Sequence, residues 1–198
     1  YCLIGAIGAA ALSVAWPTLS ALYQSAPGGL SSNIRDDRVN GEVAMQVWIT
    51  GAGSGIGRAL ALRYATGGHT VIISGRTRDK LDAVRDEAEA LAGRIIPLVY
   101  DVSDDDATAT STELLADLTP HLDLVIMNAG ACEYIKGQTL ELAMFRRVMD
   151  ANFFGMINTI NVALPLLRKA RERPMLAGVC SLAGFIGFPR AEAYAASK

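Results

Sequence analysis

The chain has no excess of basic residues, and that absence already narrows its partners. It carries 18 Lys and Arg against 20 Asp and Glu, a formal net charge of −2. No basic face exists to neutralise a phosphate backbone, so nucleic acid is excluded as a partner. Aromatic residues are scarce at 7% and are not interleaved with basic ones, which leaves no platform for stacking bases. Cysteine is scarce and odd in number: Cys2, Cys132 and Cys180 form no CxxC pair. This fits a reducing compartment and argues against both a disulfide framework and a zinc site. Cys180 lies in an apolar run and reads as a buried core thiol. Packing is also preferred for Cys132 over lining a pocket. His69 and His121 lie far apart beside expected strand starts, where surface or structural roles are favoured over metal binding.

Charge and histidine are missing altogether from Tyr1 to Ile34. The stretch YCLIGAIGAAALSVAWPTLSALY is long enough to span a membrane. Against that, Pro17 interrupts it, Gly and Ala make it only moderately hydrophobic, and the flanking Arg35, Asp36, Asp37 and Arg38 cancel. It also lacks the basic start of a signal peptide. The chain begins with Tyr, so its natural start is expected to be missing or removed. Three readings stand: a membrane anchor, which is slightly preferred, a processed leader, or residues foreign to a domain that begins at Met45. QSAPGGLSSNIRDDRVNGE reads as a linker under each. The expected organisation is therefore a segment and linker over residues 1–44 and one domain over 45–198.

From Met45 onward short apolar runs alternate with amphipathic stretches. MQVWIT, HTVIIS, RIIPLVYDV, LDLVIMNAG and MLAGVCS read as five buried strands. Between them, GRALALRYATGG and RDKLDAVRDEAEALAG read as helices, the second capped by Gly93. A further helix is expected from Ser103 to Leu118 with acidic residues in its first turn. A long helical region runs from about Leu140 to Arg173, hinged near Asp150 to Asn152. Strands that are nearly continuous in apolar residues and alternate with helices predict an α/β fold: a doubly wound, Rossmann-type parallel sheet covered on both faces, in strand order 3-2-1-4-5.

TGAGSGIG, Thr50 to Gly57, lies between the first strand and the first helix. Gly51 permits a tight turn, Gly55 lets backbone approach a pyrophosphate, and Gly57 lets the helix pack close to the sheet. The helix start then offers free N–H groups and its positive dipole end to the anion. The position that selects the cofactor ribose falls in SGRT. Gly75 supplies no carboxylate, and Arg76 offers a guanidinium suited to a 2′-phosphate. NADP(H) is therefore favoured over NAD(H).

Residues 45–198 resemble the short-chain dehydrogenase/reductase family on several motifs in order and spacing. TGAGSGIG is similar to its TGxxxGxG loop, DV at Asp101 and Val102 to its adenine contact, and NAG at Asn128, Ala129 and Gly130 to its fourth-strand motif. NFFG, from Asn152, resembles NxxG; Ser181 lies thirteen residues before Tyr194, and YAASK resembles YxxxK. The resemblance implies that Thr50, Gly51, Ser54, Gly55, Ile56, Gly57, Arg76, Asp101, Val102, Asn128, Ala129, Gly130, Tyr194 and Lys198 hold the cofactor. It implies Asn152, Ser181, Tyr194 and Lys198 as the catalytic set, with no metal. Tyr194 would exchange a proton with a carbonyl or hydroxyl oxygen while Ser181 hydrogen-bonds that oxygen. Lys198, one helical turn on, would favour the tyrosine phenolate and hold the nicotinamide ribose, and Asn152 would anchor a proton-relaying water.

Members of that family continue past the lysine with further strands and a substrate-covering loop, so a C-terminal truncation is expected here, and with it an inactive fragment. The implied partner is a small carbonyl or alcohol substrate, in the cytoplasm, with membrane association through residues 1–34 left open and a homo-oligomer at full length. FIGFPRAEA and ACEYI border the expected pocket without selecting a substrate. Two alternatives remain: a non-catalytic dinucleotide-binding regulator, against which the intact Asn152, Ser181, Tyr194 and Lys198 weigh, and a membrane-tethered module.

Overall fold

The computed structural model describes residues 38–39, 42–137, 139–170 and 172–198. The apolar segment at residues 1–34 lies outside the described residues. At the edge of the expected linker, β1 (Arg38–Val39) pairs antiparallel with β2 (Glu42–Val43). Then come β3 (Gln46–Thr50), α1 (Gly55–Thr66), β4 (Thr70–Gly75), α2 (Arg78–Glu87), β5 (Arg94–Val99), α3 (Ala107–Leu118) and β6 (Leu124–Met127). The chain continues through α4 (Leu142–Met149), a π-helical turn (Asp150–Phe154), α5 (Gly155–Leu167), β7 (Met175–Gly178), a 3-10 turn (Leu182–Gly184) and α6 (Glu192–Ala196).

Five strands form one parallel sheet in the order β5-β4-β3-β6-β7. Counted along the sheet's own strands this is 3-2-1-4-5, the doubly wound order expected from the sequence. Alternation along each strand divides the core into two layers. Val47 and Ile49 of β3, Val71 and Ile73 of β4, and Leu124 and Ile126 of β6 face Ala61, Ala65, Leu81 and Val84 of α1 and α2. Trp48, Ile72, Val125 and Met127 face Leu115 of α3 and Val162, Ala163 and Leu166 of α5. Trp48 is fully buried and donates its indole N–H to Ser74 Oγ at 3.1 Å, so the polar edge of the largest core side chain is satisfied. His69 is buried and structural: its Nδ1 accepts from the Met45 N–H at 3.2 Å.

Three helices are shorter than the sequence suggests, and the last of them, α5, ends at Leu167 rather than near Arg173. α2 ends at Glu87 rather than at Gly93, and α3 starts at Ala107 rather than at Ser103. The acidic residues expected in the first turn of α3 precede it instead. Asp101 Oδ1 accepts from the Ser103 N–H at 3.0 Å, and Asp104 Oδ1 accepts from the N–H groups of Asp106 and Ala107, both at 3.1 Å. These local side-chain turns satisfy the backbone in place of helical hydrogen bonds.

Candidate active site

The loop between β3 and α1 lies at the C-terminal end of β3, the central strand that pairs with both β4 and β6. Gly51 has φ +67°, and a Cβ there would come 2.7 Å from the Ala129 Cα. A Cβ on Gly57 would meet Asn128 Nδ2 at 2.5 Å and the Gly51 carbonyl at 2.6 Å. Gly55 has φ +57° and open space on its Cβ side, so nothing in the protein bars an anion from its backbone. Ser54 precedes α1 without capping it, which leaves the first N–H groups of the helix without a side-chain partner. Gly51 thus sits in a turn that needs positive φ and Gly57 in a close approach that a Cβ would block, while the open backbone at Gly55 leaves room for an anion such as a pyrophosphate.

A brace holds the cradle in shape. Asn128 Nδ2 donates to the carbonyls of Thr50 and Gly51, both at 3.1 Å. Thr50 Oγ1 in turn accepts from the N–H groups of Asn128 at 3.2 Å and Ala129 at 3.1 Å. The Thr50 side chain is thus buried and occupied within the protein: it shapes the loop, while Ser54 and Ile56 stay exposed beside it. A cleft of about 270 Å³ runs from this loop past Gly75, Arg76 and Asp101 to Gly130. Asp101 keeps one carboxylate oxygen engaged with Ser103, and Val102 is buried beneath the cleft. Lys80 also lines it. Its signal in the sequence is its place four residues after Arg76, in the first turn of α2.

Past Gly130 the cleft meets the second group of expected residues. Asn152 lies in the π-helical turn, buried at 1% exposure. Its Oδ1 accepts from the Ala131 N–H at 2.6 Å, and its Nδ2 donates to the Ala131 carbonyl at 2.9 Å and to Ser197 Oγ at 2.7 Å. Ser197 donates to the Tyr194 carbonyl at 2.8 Å. Asn152 therefore ties the strand-end segment at Ala131 to the turn that carries Tyr194 and Lys198. Sequence reasoning assigned Ser197 nothing, although it stands inside YAASK.

Lys198 Nζ lies 5.8 Å from the centroid of the Tyr194 ring and donates to the Val179 carbonyl at 3.3 Å. Burial lowers its pKa from the ordinary lysine value, and neighbouring Cys180 acts in the opposite direction. Gly130 makes room for this meeting: a Cβ on it would lie 3.0 Å from Asn152 Oδ1 and 3.1 Å from Lys198 Nζ. Tyr194 is half-buried and packs beside Ile135, Met144 and Val148. Ser181 caps the 3-10 turn, its Oγ accepting from the Ala183 N–H at 3.2 Å. That turn backs onto the end of α6, since a Cβ on Gly184 would come 2.5 Å from the Lys198 carbonyl carbon. Across the rim, Arg190 holds φ 69°. Its carbonyl accepts from the Ile135 N–H at 2.8 Å and its Nε donates to the Ile135 carbonyl at 2.9 Å. This two-way tie holds a conformation uncommon outside glycine.

The cysteine readings need correction. Cys180 is half-buried and Cys132 is exposed, because both lie past the ends of their strands, at the rim of the site rather than in the core. Among the described residues no group of His, Cys, Asp and Glu could hold a metal, and no helix is long and apolar enough to cross a membrane.

The family model for short chain dehydrogenase matches residues 45–198. An uncharacterized oxidoreductase of Myxococcus xanthus is 40% identical over 150 residues, covering 76% of this chain and 59% of the relative. A 3-oxoacyl-[acyl-carrier-protein] reductase of Thermotoga maritima is 32% identical over 161 residues, covering 81% of this chain and 64% of the relative. Among solved structures, a 3-oxoacyl-[acyl-carrier protein] reductase of Brucella melitensis with bound NAD superposes with a TM-score of 0.69 at 31% identity, covering 77% of this chain and 60% of the other. The chain thus spans about three-fifths of the length of such relatives. With the parallel sheet, the braced glycine loop and the Tyr194–Lys198 pair in place, the chain belongs to the short-chain dehydrogenase/reductase family of oxidoreductases.

Proposed function

We propose that residues 45–198 are the dinucleotide-binding domain of an NADP(H)-dependent reductase that interconverts a carbonyl and an alcohol. The observation that carries this reading is the meeting of Asn152 and Lys198 at Gly130, with Lys198 Nζ 5.8 Å from the Tyr194 ring centroid, at the end of a cleft that begins at an open glycine cradle. When bound, the dinucleotide supplies or accepts the hydride. The chain's own residues then handle position and protons. Tyr194 donates its hydroxyl proton to the carbonyl oxygen in the reducing direction, and takes it back in the other. Ser181 offers its hydroxyl to the same oxygen and stabilises the charge that develops on it. Lys198 contributes a positive field beside the Tyr194 ring. Asn152 fixes the turn that presents both of them.

The preference for the phosphorylated dinucleotide rests on Arg76 in the cleft and on Gly75, which brings no opposing charge. Two substitutions in the intact protein test the reading. Tyr194→Phe removes the proton donor and keeps the ring, so turnover of a ketone panel with NADPH should fall by about a hundred-fold or more, while NADPH affinity holds. Undiminished turnover would refute the mechanism. Arg76→Ala should weaken NADPH and leave NADH nearly unchanged in a fluorescence titration. A preference for NADPH that survives intact would refute the cofactor assignment.

A further inference from the structure

The cleft contains a second cation that the cofactor reading does not use. Lys80, in the first turn of α2, lines the same wall as Arg76, Thr77, Gly53 and Ser54. Its stem lies against the glycine loop: a Cβ on Gly53 would come 3.1 Å from the Lys80 Cβ. Of the other basic residues nearby, Arg78 opens α2 without lining the cleft, and two more are engaged with carboxylates. Arg58 pairs with Glu87, and Arg85 pairs with Asp82 at 2.6 Å and Asp86 at 2.8 Å. These contacts occupy every carboxylate of α2 except Asp79, which does not line the cleft. Among the described residues Arg76 and Lys80 have neither ion pair nor side-chain hydrogen bond. Two unpaired cations thus share one wall with one acidic residue, Asp101, which already accepts from Ser103.

Two like charges lining one cleft without a carboxylate partner repel, and an anion bound by both relieves that repulsion. A phosphate monoester near neutral pH carries close to two negative charges and several acceptor oxygens, enough for both cations. Arginine suits a fixed, forked contact, whereas the lysine ammonium acts as a mobile point charge at the end of a flexible stem. We infer that Lys80 is a second determinant of cofactor choice, pairing with Arg76 on the 2′-phosphate of the adenosine ribose. This inference rests on the NADP(H) reading and adds to it a residue from a different element, α2, that closes on the glycine loop.

Equilibrium binding of fragments tests it without any need for turnover. 2′,5′-ADP carries the 2′-phosphate, whereas 5′-ADP carries the pyrophosphate alone, and both can be titrated into the protein by calorimetry. Lys80→Gln should weaken 2′,5′-ADP about ten-fold and shift 5′-ADP by less than about two-fold. Lys80→Arg should restore most of the loss, and added salt should shrink the difference between wild type and Lys80→Gln. Lys80 is exposed, so a thermal melt matched to wild type will establish that the variant folds. Equal losses for both ligands would place Lys80 on the 5′-phosphate that both carry and overturn the inference. An unchanged 2′,5′-ADP affinity in Lys80→Gln, beside a clear loss in Arg76→Ala, would also overturn it and leave the NADP(H) reading standing. If wild type binds 2′,5′-ADP no better than 5′-AMP, the cofactor reading itself fails and this inference falls with it.

Discussion

Asn152→Ala isolates how much of the site is held by one buried amide. The side chain makes three hydrogen bonds, to both polar groups of the Ala131 peptide segment and to Ser197 Oγ. At a net value of about 1 kcal/mol each, their loss amounts to about 3 kcal/mol, and more if water cannot reach the stranded groups. Those groups are sheltered, since Asn152 is 1% exposed and Ser197 is buried. For a chain of this size a loss of 3 kcal/mol lowers the melting temperature by about 6–12 °C. Asn152→Asp sharpens the test. The carboxylate can still accept from the Ala131 N–H, but its second oxygen replaces the donor that now meets the Ala131 carbonyl at 2.9 Å. Two acceptors in contact repel, so the near-isosteric change should cost at least as much as the truncation. Urea denaturation of wild type and both variants measures this directly. A loss under about 0.5 kcal/mol for either variant would show that the turn bearing Tyr194 and Lys198 is fixed by something else.

The glycine loop gives a contrasting pair. Gly57→Ala forces a methyl to 2.5 Å from the Asn128 amide and 2.6 Å from the Gly51 carbonyl, so it should lower both stability and NADPH affinity. Gly55→Ala meets no neighbour but occupies the open face at φ +57°; it should cost about 1 kcal/mol of stability and lose NADPH binding nearly completely. Equal melting temperatures for the two variants would refute the assignment of these roles. Lys198 gives a pH test. Burial sets its folded pKa below the ordinary 10.5, so between those values the unfolded chain binds a proton that the folded chain does not. Stability relative to Lys198→Met should therefore rise with pH through that window and be lowest below it. A relative stability that falls with rising pH would refute the burial assignment.

Much of this molecule was legible because its strands are uninterrupted. Val47–Ile49, Val71–Ile73 and Leu124–Met127 are buried on both faces, and a run apolar at every position has few alternatives to a covered parallel sheet. Helix ends were less legible, and two of the misses have a visible cause. Gly93 looked like a cap for α2, yet a Cβ there would come 2.2 Å from the His69 carbonyl. It is a glycine because two distant segments touch, which no local pattern announces. Asp104 looked like a first-turn residue of α3, but its carboxylate captured the N–H groups of Asp106 and Ala107 before the helix could begin.

The same distinction separates the parts of the site. Spacing along one element can be read directly, so Tyr194 and Lys198 were found as a pair from four residues of separation. Contacts between elements cannot be read this way. Ser197 points to neither cofactor cleft nor solvent, and its hydroxyl joins Asn152 to the Tyr194 carbonyl across two segments 45 residues apart. Lys80 likewise earns its place only because α2 closes on the glycine loop at Gly53. The sequence therefore points to the groups proposed for protons and phosphate more readily than to the groups that would aim them. Aiming is where substitutions such as Asn152→Asp should do harm out of proportion to their size. A buried polar residue linking two segments has no slack: changing one donor to an acceptor reverses the sign of a contact without creating any space. Tolerance at Asn152 would mean that the packing of Tyr194 beside Met144 and Val148 suffices to fix the turn, and that the polar bridge only follows it.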